Sequence, residues 1–442
     1  MNNPNQAEPD FLADGRLSRR NIMLGGGLGA IALAGMVLAA PGTAQASENI
    51  QRPTKVPGRG PGRTRPMPAS FVQVKGGEFA RDGRPWRFGG TNCYYLHASS
   101  HYMIDSMLNN AAVMKMQVVR AWAFNDDPNQ SNALQPAPYT YPEDNYDSLD
   151  YTVYKAGQLG LKLVLPLVNN WPDYGGMKQY VSWFLGLPDD SYGDGVNHDR
   201  FYTDDKIRKC YLAYADHVIN RKNRYTGLRY RDDPTIMTWE LANEPRNRSD
   251  KSGAPVLAWA DAVSRHLKTS APRQLVAIGD EGMGMEPAGS SDYPYSNYEG
   301  NRWLDLTRLP AVDYGTVHLY PFGWGEVPSN GVDPVAWGKQ WIADHIAAGK
   351  KLGKPVVLEE FGLQIDATKG VPSESARDAG YDAWLTTVES SQGAGTQFWI
   401  LTALTDAGIN YPDYDGFRIV YPSSTANLFT KHAVQLAATV SS

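Results

Sequence analysis

The chain holds only two cysteines, Cys93 and Cys210, among 442 residues. Two thiols cannot build a disulfide framework or a four-ligand zinc site, and two separate buried thiols are expected rather than a bridge. Motifs for metals and cofactors are missing as well: there is no HExxH, CxxC, Walker loop or GxSxG. No metal and no cofactor are therefore expected. Charge is sparse, with 20% Asp, Glu, Lys and Arg and a formal net charge of −5. That charge is unevenly placed, because residues 47–70 set Glu48 against Arg52, Lys55, Arg59, Arg63 and Arg65. Residues 71–442 are thus more acidic than the chain as a whole. An acidic body repels phosphate backbones, so no nucleic-acid partner is expected. Long apolar runs do not recur, which excludes a multi-span membrane protein. A hydrophobic content of 42% is instead that of a globular chain with a large core.

One apolar run does stand near the start. Leu17-Ser18-Arg19-Arg20-Asn21-Ile22-Met23-Leu24 opens it, it lasts to about Ala40, and Ala44-Gln45-Ala46 supplies a small-residue cleavage site. Residues 1–46 read as a bacterial export signal, and the paired arginines point to the twin-arginine route. A secreted protein, with no membrane attachment once the signal is removed, is the expectation. Residues 47–70, rich in Pro, Gly and Arg, read as a disordered basic linker with nothing apolar to bury.

From Phe71 the pattern is regular. A hairpin (71–74, then 78–81) precedes eight runs of strand length: Trp86–Gly90, Val118–Phe124, Lys162–Val168, Thr235–Leu241, Leu275–Ile278, Tyr314–Tyr320, Pro355–Glu360 and Thr396–Ile400. Stretches with helical period lie between them, among them 151–159, 207–222, 256–269, 334–348 and 376–389, and a last one spans 426–438. Strands alternating with helices imply a parallel sheet covered by helices. Eight of them imply an α/β fold, a single (β/α)8 TIM barrel over residues 71–442. A long insertion, Gly186–Thr203, separates strands three and four. A monomer is expected.

The ends of these runs carry residues a core would not choose: Asn92, Arg120, Trp122, Asn169, Asn170, Trp171, Asn243, Glu244, Glu281, His318, Tyr320, Glu359, Glu360 and Trp399. In a barrel these ends converge on one mouth, where active sites lie. Carboxylates on strands four and seven can face each other there. Hydrolysis of a glycosidic bond needs such a pair, one to protonate the leaving oxygen and one to attack carbon or activate water. Strand alternation lets only one of Glu359 and Glu360 face the mouth, and leaves open which. Arg120 and Tyr320 are placed to stabilise a charged nucleophile, and His318 to orient a carboxylate or bind a sugar hydroxyl. The 11% aromatic content includes 12 Trp and 25 Tyr, enough for stacking faces beside hydroxyl-binding groups.

The segments Val119-Arg120-Ala121-Trp122-Ala123-Phe124-Asn125-Asp126, Leu167-Val168-Asn169-Asn170-Trp171, Thr238-Trp239-Glu240-Leu241-Ala242-Asn243-Glu244-Pro245-Arg246, His318-Leu319-Tyr320-Pro321 and Glu359-Glu360-Phe361-Gly362 resemble, in this order, glycoside hydrolase family 5. Within it they look most like secreted endo-β-1,4-mannanases. The resemblance implies Glu244 as acid/base, Glu360 as nucleophile and Asn243 on the sugar 2-hydroxyl. It also implies Arg120, His318, Tyr320 and Trp399 around the reacting sugar, with Trp399 as its floor. Trp122, Trp171 and Trp324 match aromatic positions of the cleft. Arg246 matches a residue that touches sugar on the leaving-group side. The implied activity is retaining, internal cleavage of β-mannan, with an exo-acting mannosidase or an endo-β-1,4-glucanase as the alternative. The loop Leu187–Arg200 and the segment Gly282–Asn301 match nothing in that pattern, and both are expected to border the cleft.

Overall fold

The structure, a computed structural model, describes residues 70–285, 293–324 and 333–438. The expected signal (1–46) and the linker up to residue 69 lie outside the described residues.

Eight parallel strands form the barrel: β4 (Phe88–Asn92), β5 (Val118–Arg120), β6 (Lys162–Pro166), β7 (Ile236–Glu240), β8 (Leu275–Ala277), β9 (Gly315–Leu319), β10 (Val356–Phe361) and β11 (Gly395–Phe398). Their order is β8-β7-β6-β5-β4-β11-β10-β9. The seam between the first and last of these is bridged by Asp313 N–H to Val276 O (2.8 Å) and His318 N–H to Glu281 O (3.0 Å). Every residue of these eight strands is buried. Burial on both faces explains why the strands read as continuous runs rather than as alternation.

A small antiparallel sheet, β1 (Gln73–Lys75), β2 (Glu78–Arg81) and β3 (Arg84–Pro85), plugs the bottom of the barrel. Phe79 packs there against Trp86, Phe88 and Tyr314 and closes an apolar layer with Val118, Val164, Met237 and Val357. This plug closes the barrel interior at that end, and the strand ends that carry polar side chains lie at the other.

Ten helices are described: α1 (His101–Val113), α2 (Asp147–Leu159), α3 (Gly176–Leu185), α4 (Arg200–Thr203), α5 (Asp205–Asn220), α6 (Ala254–Ser270), α7 (Trp303–Arg308), α8 (Pro334–Leu352), α9 (Glu374–Ser390) and α10 (Ser424–Ala438). The expected insertion between strands three and four, Gly186–Thr203, follows α3 and consists of a loop over 187–199 and α4. Asp190 shapes that loop by accepting from the Asn197 and His198 amides, both at 2.8 Å. Cys93 and Cys210 are buried and free, as two separate thiols.

Candidate active site

Arg120, the last residue of β5, is the hub of the mouth. Its Nε donates to Glu240 Oε2 (2.8 Å), Nη2 to Asn243 Oδ1 (2.8 Å), and Nη1 to Asn92 Oδ1 (3.3 Å) and to Glu360 Oε1. Glu359 lies 3.6 Å from the same Nε. Tyr320, just past β9, donates its hydroxyl to the other oxygen of Glu360 at 2.9 Å. Both oxygens of Glu360 therefore accept hydrogen bonds, an arrangement that favours the carboxylate form.

Glu359 turns the other way, toward Glu240, and both are fully buried. Burial raises Glu240 well above the usual carboxyl range, and the Glu359 charge adds to this against the pull of Arg120. Burial acts in the same sense on Glu359, but Arg120, a hydrogen bond from Glu240 and His318 hold it below. Glu240 is thus the donor of the hydrogen bond it shares with Glu359.

Glu244 follows β7 by four residues and has φ of +52°, in the left-handed region. Such backbone is held only where the surroundings over-determine it. Here the Glu244 amide donates to Gly279 O (2.8 Å), the Asn243 amide to Val168 O (2.7 Å) and the Arg246 amide to the Asn170 side chain (2.9 Å). The Glu244 carboxyl receives the Trp171 indole N–H at 2.6 Å and lies 2.8 Å from His318 Nδ1. His318 Nε2 faces Glu359 at 3.3 Å. Burial works against an imidazolium there, but the Glu360 charge and the hydrogen bonds to Glu244 and Glu359 outweigh it and lift His318 to about 10. Asn243 is committed through Oδ1 to Arg120 and through Nδ2 to Asn169 (3.0 Å).

The structure brings Arg120, Asn243, Glu244, His318, Tyr320, Glu360 and Trp171 into one linked cluster. Trp399 joins it at the end of β11, with Tyr94 stacked on its ring at 5.5 Å and 9°. Its indole N–H donates to Asp415 at 2.7 Å. Trp324 stands further out and directs its indole N–H at Glu281 (3.3 Å). Two residues are placed otherwise than expected. Trp122 is 1% exposed and packs behind Tyr94 and against Phe124 and Tyr174, so its ring forms wall, not an open sugar face. Arg246 is held in ion pairs: Nε and Nη2 contact Glu281 (2.6 and 2.8 Å), and Nη1 contacts Glu299 (2.9 Å). Burial disfavours the charge there, but the two carboxylates outweigh it and hold the guanidinium charged.

Glu240, Asp415 and Tyr94 belong to the site although strand-end reasoning passes over them. Glu240 did leave a signal, as a charge within an otherwise uncharged buried strand. Asp415 left none, being in a loop 16 residues past Trp399. Glu244, His318 and Glu360 bring potential ligand atoms within 4.8 Å of one another. Both ring nitrogens of His318 already face carboxylates, so the trio functions as a charge-coupled set of side chains.

A sealed (β/α)8 barrel with two differently held carboxyl groups at its open mouth defines a hydrolase of the glycosidase class. Residues 69–413 match the family described as GH family 5 beta-mannosidase-like, and the chain belongs to this family. It is 33% identical to a putative mannan endo-1,4-beta-mannosidase 5 of Oryza sativa subsp. japonica, over 83% of this chain and 76% of the relative. It is also 33% identical to mannan endo-1,4-beta-mannosidase F of Aspergillus fumigatus, over 81% of this chain and 77% of the relative. The solved structure of a hyperthermostable endo-1,4-beta-D-mannanase from Thermotoga petrophila RKU-1 superposes with a TM-score of 0.71 at 41% identity. That match covers 79% of this chain and all of that one.

Proposed function

We propose that this chain is a secreted, retaining endo-β-1,4-mannanase that uses Glu360 as nucleophile and Glu244 as acid/base. The observation that carries the mechanism is the spacing of the two carboxyls, whose oxygens come within 4.8 Å. Retaining enzymes need such close carboxyls, about 5–5.5 Å apart, whereas inverting ones leave room for water at about 6.5–9.5 Å. The substrate rests on the similarity to the mannan endo-1,4-beta-mannosidases, and export rests on Arg19-Arg20 and the apolar run after them.

In the first step a Glu360 oxygen attacks the anomeric carbon as the bond to the leaving oxygen breaks, and the Glu244 proton goes to that oxygen. The product is a glycosyl ester on Glu360. Water then attacks the same carbon, Glu244 takes its proton, and the ester opens. Arg120 and Tyr320 keep the nucleophile charged. His318, charged between Glu244 and Glu359, donates from Nδ1 to a Glu244 oxygen and stabilises the carboxylate left once the proton has gone. Trp399 forms the floor under the reacting sugar.

Glu244→Ala tests the assignment. Cleavage of mannan should fall by about 10²–10⁴-fold, the usual contribution of general acid catalysis. An aryl β-mannobioside with a good leaving group should still form the ester, which then accumulates. Equal losses on both substrates would contradict the role. Unsubstituted enzyme should shorten mannan and glucomannan to oligosaccharides and barely touch carboxymethyl cellulose. Comparable rates on the two would sink the substrate reading alone.

A further inference from the structure

The loop over 187–199 has no part in the reaction described above, yet it is fixed against the site. His198 Nε2 meets Asn170 O (2.9 Å), Asp199 accepts from the Ser249 amide (2.8 Å), and Arg248 donates to Gly193 O (3.2 Å). Arg248 also pairs with Glu299, so the loop and the Gly282–Asn301 segment share one anchor. This scaffold presents Tyr192, whose ring stacks on Trp171 at 5.1 Å and 20°.

Trp171 itself is 5% exposed, with the Arg246 guanidinium 5.0 Å from its ring centre and its indole N–H on Glu244. Its ring is already in contact on two counts, and it serves Glu244 more than solvent. Tyr192, with one face against Trp171, remains 36% exposed. Its position gives direction. Glu244 is the group that faces the departing oxygen, so a surface continuing outward from Trp171 flanks the departing sugars. Trp399, across the mouth, flanks the sugar being attacked.

We infer that Tyr192 is a stacking platform for a β-1,4-linked pyranose lying beyond the first sugar on the leaving-group side of the cut. This rests on the mannanase reading for the identity of the sugar, but not for the platform. An aromatic face offers apolar surface to the C–H face of a pyranose, and a loop already pinned pays little ordering entropy on binding.

Tyr192→Ala in the full enzyme, with Tyr192→Phe and Val196→Ala beside it, tests the inference. Val196, 56% exposed on the same loop, reports general disturbance of it. On β-1,4-mannohexaose, Tyr192→Ala should lower kcat/KM by roughly 3- to 10-fold through KM, as expected for one lost stack. It should also move the preferred cut toward the reducing end. Tyr192→Phe should restore most of the loss. On an aryl β-mannobioside, which has nothing beyond the aryl group, Tyr192→Ala and the parent should agree within about two-fold. Equal losses on both substrates would show that Tyr192 acts through Trp171 on Glu244, and would overturn the inference. No loss on either, or an equal loss in Val196→Ala, would also overturn it. The same comparison on cellohexaose reads the platform if that proves the better substrate, so failure of the mannan reading and failure of the platform are distinguishable.

Discussion

Arg120 is shared by Glu240, Glu359 and Glu360, and that crowding decides where protons lie. Even with the His318 imidazolium beside Glu359 and Glu360, burial disfavours three charged carboxyls around Arg120, so one stays neutral. Burial raises Glu240 while Arg120, the bond from Glu240 and His318 hold Glu359 low, so Glu240 is the neutral one, which predicts an asymmetry between two isosteric changes. Glu240→Gln keeps a neutral donor toward Glu359 and should cost little, within about three-fold of parent kcat/KM. Glu359→Gln removes a charge facing Arg120 and His318 and should cost roughly 10- to 100-fold, the worth of a hydrogen bond to a charged group. Kinetics on mannan across pH would check both, and the reverse order would place the proton on Glu359. The same scale explains Trp122 and Arg246. Each has the residue type of a sugar contact, but Tyr94 lies over one, and Glu281 and Glu299 hold the other. Those partners are far away in sequence.

Glycine positions show what joins the elements at the mouth. Gly279, just after β8, has φ of +80°, and a Cβ there would lie 2.0 Å from Ala242 O. Its carbonyl accepts the Glu244 amide, which extends the pairing of β7 with β8 past Glu240 and Ala277 to the mouth. Gly353, at the end of α8, has φ of +69° with nothing within 4 Å of a Cβ. Both substitutions to Ala pay for left-handed backbone, about 1 kcal/mol, but only Gly279→Ala also forces strands apart. Thermal unfolding should show Gly279→Ala the more destabilising by about 2 kcal/mol or more, and it alone should lose activity. Equal shifts would mean the contact with Ala242 relaxes freely. Elements of this kind were legible to different degrees. All eight barrel strands were marked by apolar runs within a few residues of their ends, because burial on both faces leaves no polar interruption. β5 ends at Arg120, short of Phe124, although Ala121 and Ala123 still donate to Val164 O and Pro166 O of β6. α1 is not among the helical stretches named from the sequence, although Ile104, Met107, Leu108 and Ala111 repeat at helical spacing. Residues at strand ends were legible, and those delivered by loops, Tyr192 and Asp415, were not, because a loop has no period to betray its direction.

Across the whole molecule, buried groups with shifted protonation set how stability varies with pH. His318 is raised from 6.5 to about 10, so its contribution is complete below about 6.5 and is lost as pH rises through 10. Burial raises Asp280 to about 8, against a hydrogen bond from the Gly282 amide. Its contribution likewise falls away as pH climbs to 8. Glu299 acts in the opposite sense: burial opposes the charge, but Arg246 and Arg248 hold it at about 2, so its contribution is lost only as pH falls from about 4.5 toward 2. Lys162 and Lys354, lowered by burial to about 8, act in the opposite sense above pH 8, so the melting temperature should decline between pH 6.5 and 8, and less steeply in His318→Gln. An equal slope in both proteins would remove His318 from the account. The central proposal is that Glu360 is the nucleophile of a mannose-directed retaining enzyme. It is tested most directly by trapping. A 2-deoxy-2-fluoro-β-mannosyl fluoride extended by one β-1,4-mannose should lose fluoride and leave an ester that peptide mass spectrometry locates on Glu360. An ester on Glu359 or Glu244, or inactivation only by the glucose-configured reagent, would contradict it.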